Sequence, residues 1–169
     1  RATVMGASSQ TITLSGSTIW LGCDRLPLRN LLVVRPRLTV EELARPDCLA
    51  DALLNAARQW DAEDGRAMLA LALDLPARLN HAALRVVADG VVQYAGACSD
   101  RAQSAPVILV LEHDYALALG QSISGLQPDL PLIVLDQIAV EEGDLIDIGA
   151  PLPGGRATPV AVKTLVFYH

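Results

Sequence analysis

Lysine is almost absent: Lys163 is the only one, and 13 Lys+Arg face 19 Asp+Glu for a net charge of −6. The arginines form no cluster. Nucleic acid is thereby excluded as an expected partner, because neutralising phosphates requires a basic face. An anionic membrane surface is excluded on the same ground. No apolar run approaches the ~18 residues of a membrane span. The opening RATVMGASSQ is neither basic nor followed by an apolar stretch, so no signal peptide is expected. Cysteine is scarce and unpaired in pattern. Cys23, Cys48 and Cys98 lie 25 and 50 residues apart with no CxxC, which reads as free thiols in a reducing cytosol. His81, His113 and His169 form no HExxH or other ligand spacing, and no metal site is indicated. A GxxxxGK[ST] loop, a GxGxxG loop and a GxSxG elbow are all missing.

What is present is a core. Hydrophobic residues make up 51% of the chain and charged residues 19%, enough to fold one domain or one and a half. The chain starts with Arg and in mid-pattern, and ATVMG reads as the end of a strand, so an earlier part is expected to be missing. Residues 11–14 and 18–21 are short β-like runs around an SGS turn. LRNLLVVRP, residues 28–36, is an apolar run stopped by proline. Leu49, Ala52, Leu53, Ala56, Ala57 and Trp60 recur at helical spacing, with Asp47 as the expected N-cap.

An alternation follows. MLALALDLP from Met68, PVILVLE at 106–112 and PLIVLDQI at 131–138 are continuous apolar runs, the mark of strands buried on both faces. Between them lie two helical segments, 79–98 and 115–126. Gly90 interrupts the first at a cost of about 1 kcal/mol relative to alanine. Strand-helix-strand-helix-strand with short connections predicts an α/β fold: a mostly parallel sheet with helices on its faces and a β-α-β-α-β core. DLIDIG and PVAVKTLVF add a C-terminal strand pair.

In open α/β sheets ligands bind beyond the carboxyl ends of the parallel strands. Those ends carry Asp74, then Glu112, His113 and Asp114, then Asp136. Carboxylates beside a histidine suit general acid–base work. The plainer reading is that Asp114 caps the following helix and the others are solvated loop residues. Asp144 and Asp147 are three apart, so a regular strand points them to opposite faces. Gly154 and Gly155 permit positive φ, and their amides could form an anion nest beside Arg156. The same residues equally suit a turn between two strands, with Pro153 at its edge.

Two stretches go beyond a generic α/β pattern. RATVMGASSQTITLSGSTIWL, residues 1–21, and GDLIDIGAPLPGGRATPVAVKTLVF, residues 143–167, closely resemble the C-terminal part of the EutA family, the reactivating factors of ethanolamine ammonia-lyase. LPLRNLLVV and LVLEHDYALALGQSI look like its intervening segments. The resemblance covers essentially the whole chain, least clearly residues 37–66. It implies membership of the actin/Hsp70-like ATPase group and a chaperone-like role. Such a factor uses ATP and magnesium to release damaged cobalamin from ethanolamine ammonia-lyase, so that intact adenosylcobalamin can enter. It also implies a cytoplasmic location, in places beside a bacterial microcompartment.

The chain departs from the complete family pattern. The two phosphate hairpins and the Gly-rich adenosine loop of the actin-like fold are absent. IDIGAP, residues 146–151, has only a superficial likeness to a phosphate hairpin, because the Gly-Thr hydroxyls are missing. EHDYALALG holds the residue types of a corrin-binding D-x-H-x-x-G motif but not their order. Only ATVMGAS resembles a core element, with Gly6 and Ala7 in the second connect region. The expected division is therefore a remnant of the actin-like core at 1–21, a linker and strand region at 22–45, and a C-terminal α/β domain at 46–169. The expected role is an interaction or coupling module with ethanolamine ammonia-lyase as partner, not catalytic by itself. His113, Asp114, Asp136, Gly154, Gly155 and Arg156 are its candidate ligand or partner contacts. Two alternatives stay open: a small-molecule-binding or catalytic domain with its site at the strand ends, and a homo-oligomerisation domain.

Overall fold

The computed structural model describes residues 7–14, 19–60, 68–98, 105–154 and 157–166. In chain order these form β1 (Ala7–Leu14), β2 (Trp20–Leu21), β3 (Leu28–Val34), α1 (Val40–Leu43), α2 (Pro46–Trp60), β4 (Leu69–Leu73), α3 (His81–Ala97), β5 (Val107–Leu111), α4 (Ala116–Leu126), β6 (Leu132–Leu135), β7 (Leu145–Ile148) and β8 (Pro159–Val166). Among the described residues no helix is long and apolar enough to cross a membrane.

The expected β-α-β-α-β core is present as β4-α3-β5-α4-β6. LALAL, VILVL and LIVL form parallel ladders in that order. Each of these strands is buried along nearly its whole length, as a parallel strand covered on both faces must be. β3 extends the parallel set on the other side of β4. The C-terminal strand pair is also present. β7 pairs antiparallel with β3, β8 with β7, and β1 with β8, while β2 closes the opposite edge against β6. The full order is β1-β8-β7-β3-β4-β5-β6-β2.

Strand residues alternate between two cores. Val34, Leu71, Leu73, Leu109, Leu111, Leu132 and Val134 meet the buried faces of α2, α3 and α4. Their neighbours Leu31, Val33, Ala70, Ala72, Ile108, Val110, Ile133 and Leu135 point the other way. They pack with Ile146 and Ile148 of β7 and with Val160 and Val162 of β8. The three long helices thus share one face, and the sheet curls so that β7 and β8 help fill the other. Residues 136–144 lead from β6 back to β7 across the carboxyl ends of β5 and β3. Ile138 N–H donates to Leu111 C=O at 3.3 Å, and Gly143 N–H donates to Val33 C=O at 3.0 Å. Ile138 and Val140 from this crossing enter the second core.

Local chemistry explains the helix starts. Asp47 is not the N-cap expected from sequence: Pro46 is the first residue of α2. Proline suits that place because its missing N–H would have no intrahelical partner anyway. A separate turn, α1, precedes it. Its Thr39 and Glu42 form a reciprocal capping box, with Glu42 accepting from Thr39 N–H at 2.7 Å and Thr39 Oγ1 accepting from Glu42 N–H at 3.2 Å. Asn80 Oδ1 caps α3 through Ala83 N–H at 2.8 Å. Gly90 has a packing reason: a Cβ there would stand 2.8 Å from Leu49 Cδ2 and 3.0 Å from Leu49 Cβ. Its absence lets α2 and α3 approach.

Candidate functional site

The carboxyl ends of the parallel strands divide between the two faces. Asp74 and Glu112 continue the register of Ala72 and Val110 and line a cavity of about 210 Å³. The cavity is also lined by residues 138–141 of the β6–β7 crossing and by Arg35, which follows β3. Arg35 is the centre of this end of the sheet. Its Nη1 donates to Val140 C=O at 3.2 Å and lies 3.3 Å from Glu141 Oε2, and its Nη2 lies 3.5 Å from Asp74 Oδ2. Its backbone N–H donates to Glu142, whose other carboxylate oxygen accepts from Trp60 Nε1–H at 2.6 Å. One carboxylate therefore ties the end of β3 to the end of α2.

Asp136 turns to the helix face. It is fully buried, and its Oδ2 accepts from Ala116 N–H at 2.8 Å. The helix that was expected to be capped by Asp114 has Tyr115 at its N-cap with no side-chain cap bond. The carboxylate serving its first turn comes instead from the next strand, 20 residues on. Oδ1 of Asp136 is buried without a hydrogen-bond partner. Burial, with the Asp114 carboxyl nearby, pushes Asp136 up to about 6, against the opposing pull of Ala116 N–H. Tyr115 fastens the same corner to the β4–α3 loop: its hydroxyl accepts from Leu79 N–H at 2.8 Å and donates to Pro76 C=O at 3.2 Å. His113 is half-buried, and its carbonyl accepts from Tyr115 N–H at 2.9 Å. The structure thus brings Asp114 and Asp136 together and sets both apart from the cavity that Asp74 and Glu112 line.

The tail forms a β-hairpin. The ladder of β7 and β8 continues through Gly149 N–H to Pro159 C=O at 2.8 Å and closes with Leu152 N–H to Ala157 C=O at 2.9 Å. Gly154, with φ +97°, occupies the turn that follows, a conformation that costs glycine little. Gly155 and Arg156 lie outside the described residues, as does Gly6, and Ala7 opens β1. Asp144 and Asp147 engage adjacent, oppositely facing residues of β8. Asp144, buried, accepts from Thr164 Oγ1 at 2.8 Å and from Glu141 N–H at 2.9 Å. Asp147 accepts from Asn30 N–H at 2.8 Å and meets Lys163 Nζ at 2.5 Å. These bonds hold its carboxyl below the usual range.

That arrangement does not fit residues 146–151 as a phosphate hairpin. The one acid is already held by a backbone amide and the sole lysine. The glycine that would have to approach a phosphate is covered by Pro159, whose Cγ would stand 2.6 Å from a Cβ at Gly149.

Sequence reasoning missed Arg35. The available signal was its place directly after an apolar run, the same signal that marks Asp74 and Glu112. It applies only once residues 28–34 are recognised as a parallel strand.

The family model described as ethanolamine utilisation protein EutA matches residues 1–168. Two curated relatives carry the name ethanolamine ammonia-lyase reactivase EutA, one from Salmonella typhimurium (strain LT2) and one from Escherichia coli (strain K12). Each is 39% identical over 167 residues, covering 99% of this chain and 34% of the relative. The chain therefore spans about a third of the length of the curated relatives it matches. No solved structure matches it.

Proposed function

The chain belongs to the EutA family, and on that premise we propose that it is the interaction and coupling module of a reactivating factor acting on ethanolamine ammonia-lyase. The observation that carries the reading is the match along 99% of the chain to two proteins named as reactivases of that enzyme. In this reading the whole factor uses ATP and magnesium to expel damaged cobalamin from the lyase, and intact adenosylcobalamin then enters. ATP and magnesium bind outside these residues, in line with the misfit of residues 146–151 to phosphate. The chain's part is to transmit the nucleotide state to the lyase. The hydrogen bonds at this end of the sheet support such a role: Arg35, Glu142 and Trp60 join β3, the β6–β7 crossing and α2 in one bonded set.

Sedimentation velocity of the chain mixed with ethanolamine ammonia-lyase carrying cyanocobalamin tests the proposal. A faster boundary that scales with chain concentration is the expected result. No shift at tens of micromolar would remove the chain from the lyase-binding surface. The isolated chain is expected to show no magnesium-dependent ATP hydrolysis, and turnover by the pure chain would refute the division of labour.

A further inference from the structure

Beside the Arg35 cavity runs a larger groove of about 910 Å³, between the β3–α1 connection, one side of α2 and the turn at 141–142. We infer that this groove is a docking site for a basic segment of a partner protein. Four carboxylates line it, from Glu42, Asp74, Glu141 and Glu142, against two guanidinium groups, from Arg35 and Arg37. The excess of negative charge selects a cationic occupant and repels nucleic acid.

Two of the acids are held in place before any partner arrives. Glu142 is fixed by Trp60 and by the Arg35 amide, and Glu42 by Thr39. The other two are available. Asp74 and Glu141 are 61% and 80% exposed, and their contacts to Arg35, at 3.5 and 3.3 Å, are longer than a well-formed charged hydrogen bond. A carboxylate accepts several hydrogen bonds, so each retains capacity for an incoming donor.

The rest of the groove suits a peptide better than a small cation. Ala52 and Ala56 of α2 offer small apolar surface along which the stem of a Lys or Arg side chain can lie. One of the large hydrophobics exposed among the described residues, Trp60, borders it. Trp60 donates its Nε1–H to the groove-lining Glu142 at 2.6 Å. Tryptophan is enriched among the residues that carry the binding energy of protein interfaces. This inference adds a surface to the reading above but rests on the groove's own charge and shape, not on the identity of the lyase.

The probe is a capped peptide of alternating Leu-Arg-Ala units, titrated into the full chain while Trp60 emission is followed. A Trp60→Phe chain serves as the blank for Trp20, and a peptide with Gln for Arg is the charge control. Saturable binding of the arginine peptide, weakened by added salt and absent for the Gln peptide, is expected. The Asp74→Asn/Glu141→Gln double variant should raise Kd about tenfold, and Gln59→Lys should weaken binding in the same sense. Asp24→Asn/Asp129→Asn removes the same charge elsewhere and should leave Kd within about twofold. Equal losses in both double variants would mean general attraction to an acidic chain and overturn the site, as would no binding at all. Peptide binding that depends on the groove, without a lyase boundary shift, would sink the proposed partner and leave the groove standing. A lyase shift with no groove-dependent peptide binding would do the reverse.

Discussion

Replacing Gly90 by alanine should destabilise this chain, although the same change in a free helix stabilises it. Two effects of opposite sign meet at the site. In the interior of α3, alanine gains about 1 kcal/mol over glycine from helix propensity. Against this, the new Cβ would lie 2.8 Å from Leu49 Cδ2 and 3.0 Å from both Leu49 Cγ and Cβ. Leu49 is fully buried in the core beneath α2, and its Cβ is fixed to the helix backbone. A rotamer change therefore cannot relieve the contact, and the two helices must separate along their seam. Overpacking of this kind costs about 1–3 kcal/mol. The net expectation is a loss of about 1 kcal/mol, or a fall in Tm of about 2–4 °C for a chain of this size. Urea unfolding followed by circular dichroism reads the difference. The decisive comparison is a double-mutant cycle with Leu49→Ala. That variant alone should cost about 2–5 kcal/mol by leaving a cavity. Adding Gly90→Ala to it should then cost less than in the parent chain, because the contacts with Leu49 Cδ2 and Cγ are gone while the one with Cβ stays, giving a coupling of about 1 kcal/mol. A stabilised single variant, or strictly additive changes, would refute the reasoning.

Asp136 should make stability fall as pH rises. Its folded pKa is raised to about 6 from the ordinary 3.8, so between those values the folded state binds the proton more tightly than the unfolded chain does. The stabilisation is fully present below about 4 and is lost by about 6–7, a change of about 3 kcal/mol. Asp136→Asn should keep the bond from Ala116 N–H and flatten that slope in urea titrations at pH 4.5 and 7.5; an unchanged slope would show that another group titrates. Tyr115→Phe leaves Leu79 N–H and Pro76 C=O without the hydroxyl, and should lower stability by about 1 kcal/mol. Its amide exchange should quicken first in the 76–80 loop, and uniform quickening would speak against a local anchor. Asp144→Ala strips Thr164 and the Glu141 amide of their acceptor and should cost about 2–3 kcal/mol. Asp144→Asn should recover part of this, and equal losses would mean that only side-chain volume matters there.

Of the site, Asp74 and Glu112 were legible in the sequence because each directly follows a continuous apolar run, and a parallel strand delivers such residues to its carboxyl end. Arg35 was not legible. Its partners Val140 and Glu141 lie 105 and 106 residues away, and only the crossing after β6 brings them back over β3. The cap of α4 is a similar case. Asp114 has the residue type and the position, but α4 draws its carboxylate from Asp136 because β6 lies in the sheet beneath it.

The same division holds for the fold. Unbroken apolar runs, helical spacing and the breaks between them determined β4-α3-β5-α4-β6, because those signals are local: period and length decide strand or helix before any partner is chosen. The β7–β8 hairpin was legible too, since both strands and their turn fall within 22 residues. Sequence alone did not decide that β3 extends the parallel set, that β1 and β2 close opposite edges, or that three helices crowd one face while the sheet curls over the other. Those depend on which strand edges meet, for β1 and β2 across more than a hundred residues, and on whether a small residue such as Gly90 lets two helices approach. They are settled by the burial and backbone pairing of the whole assembled chain.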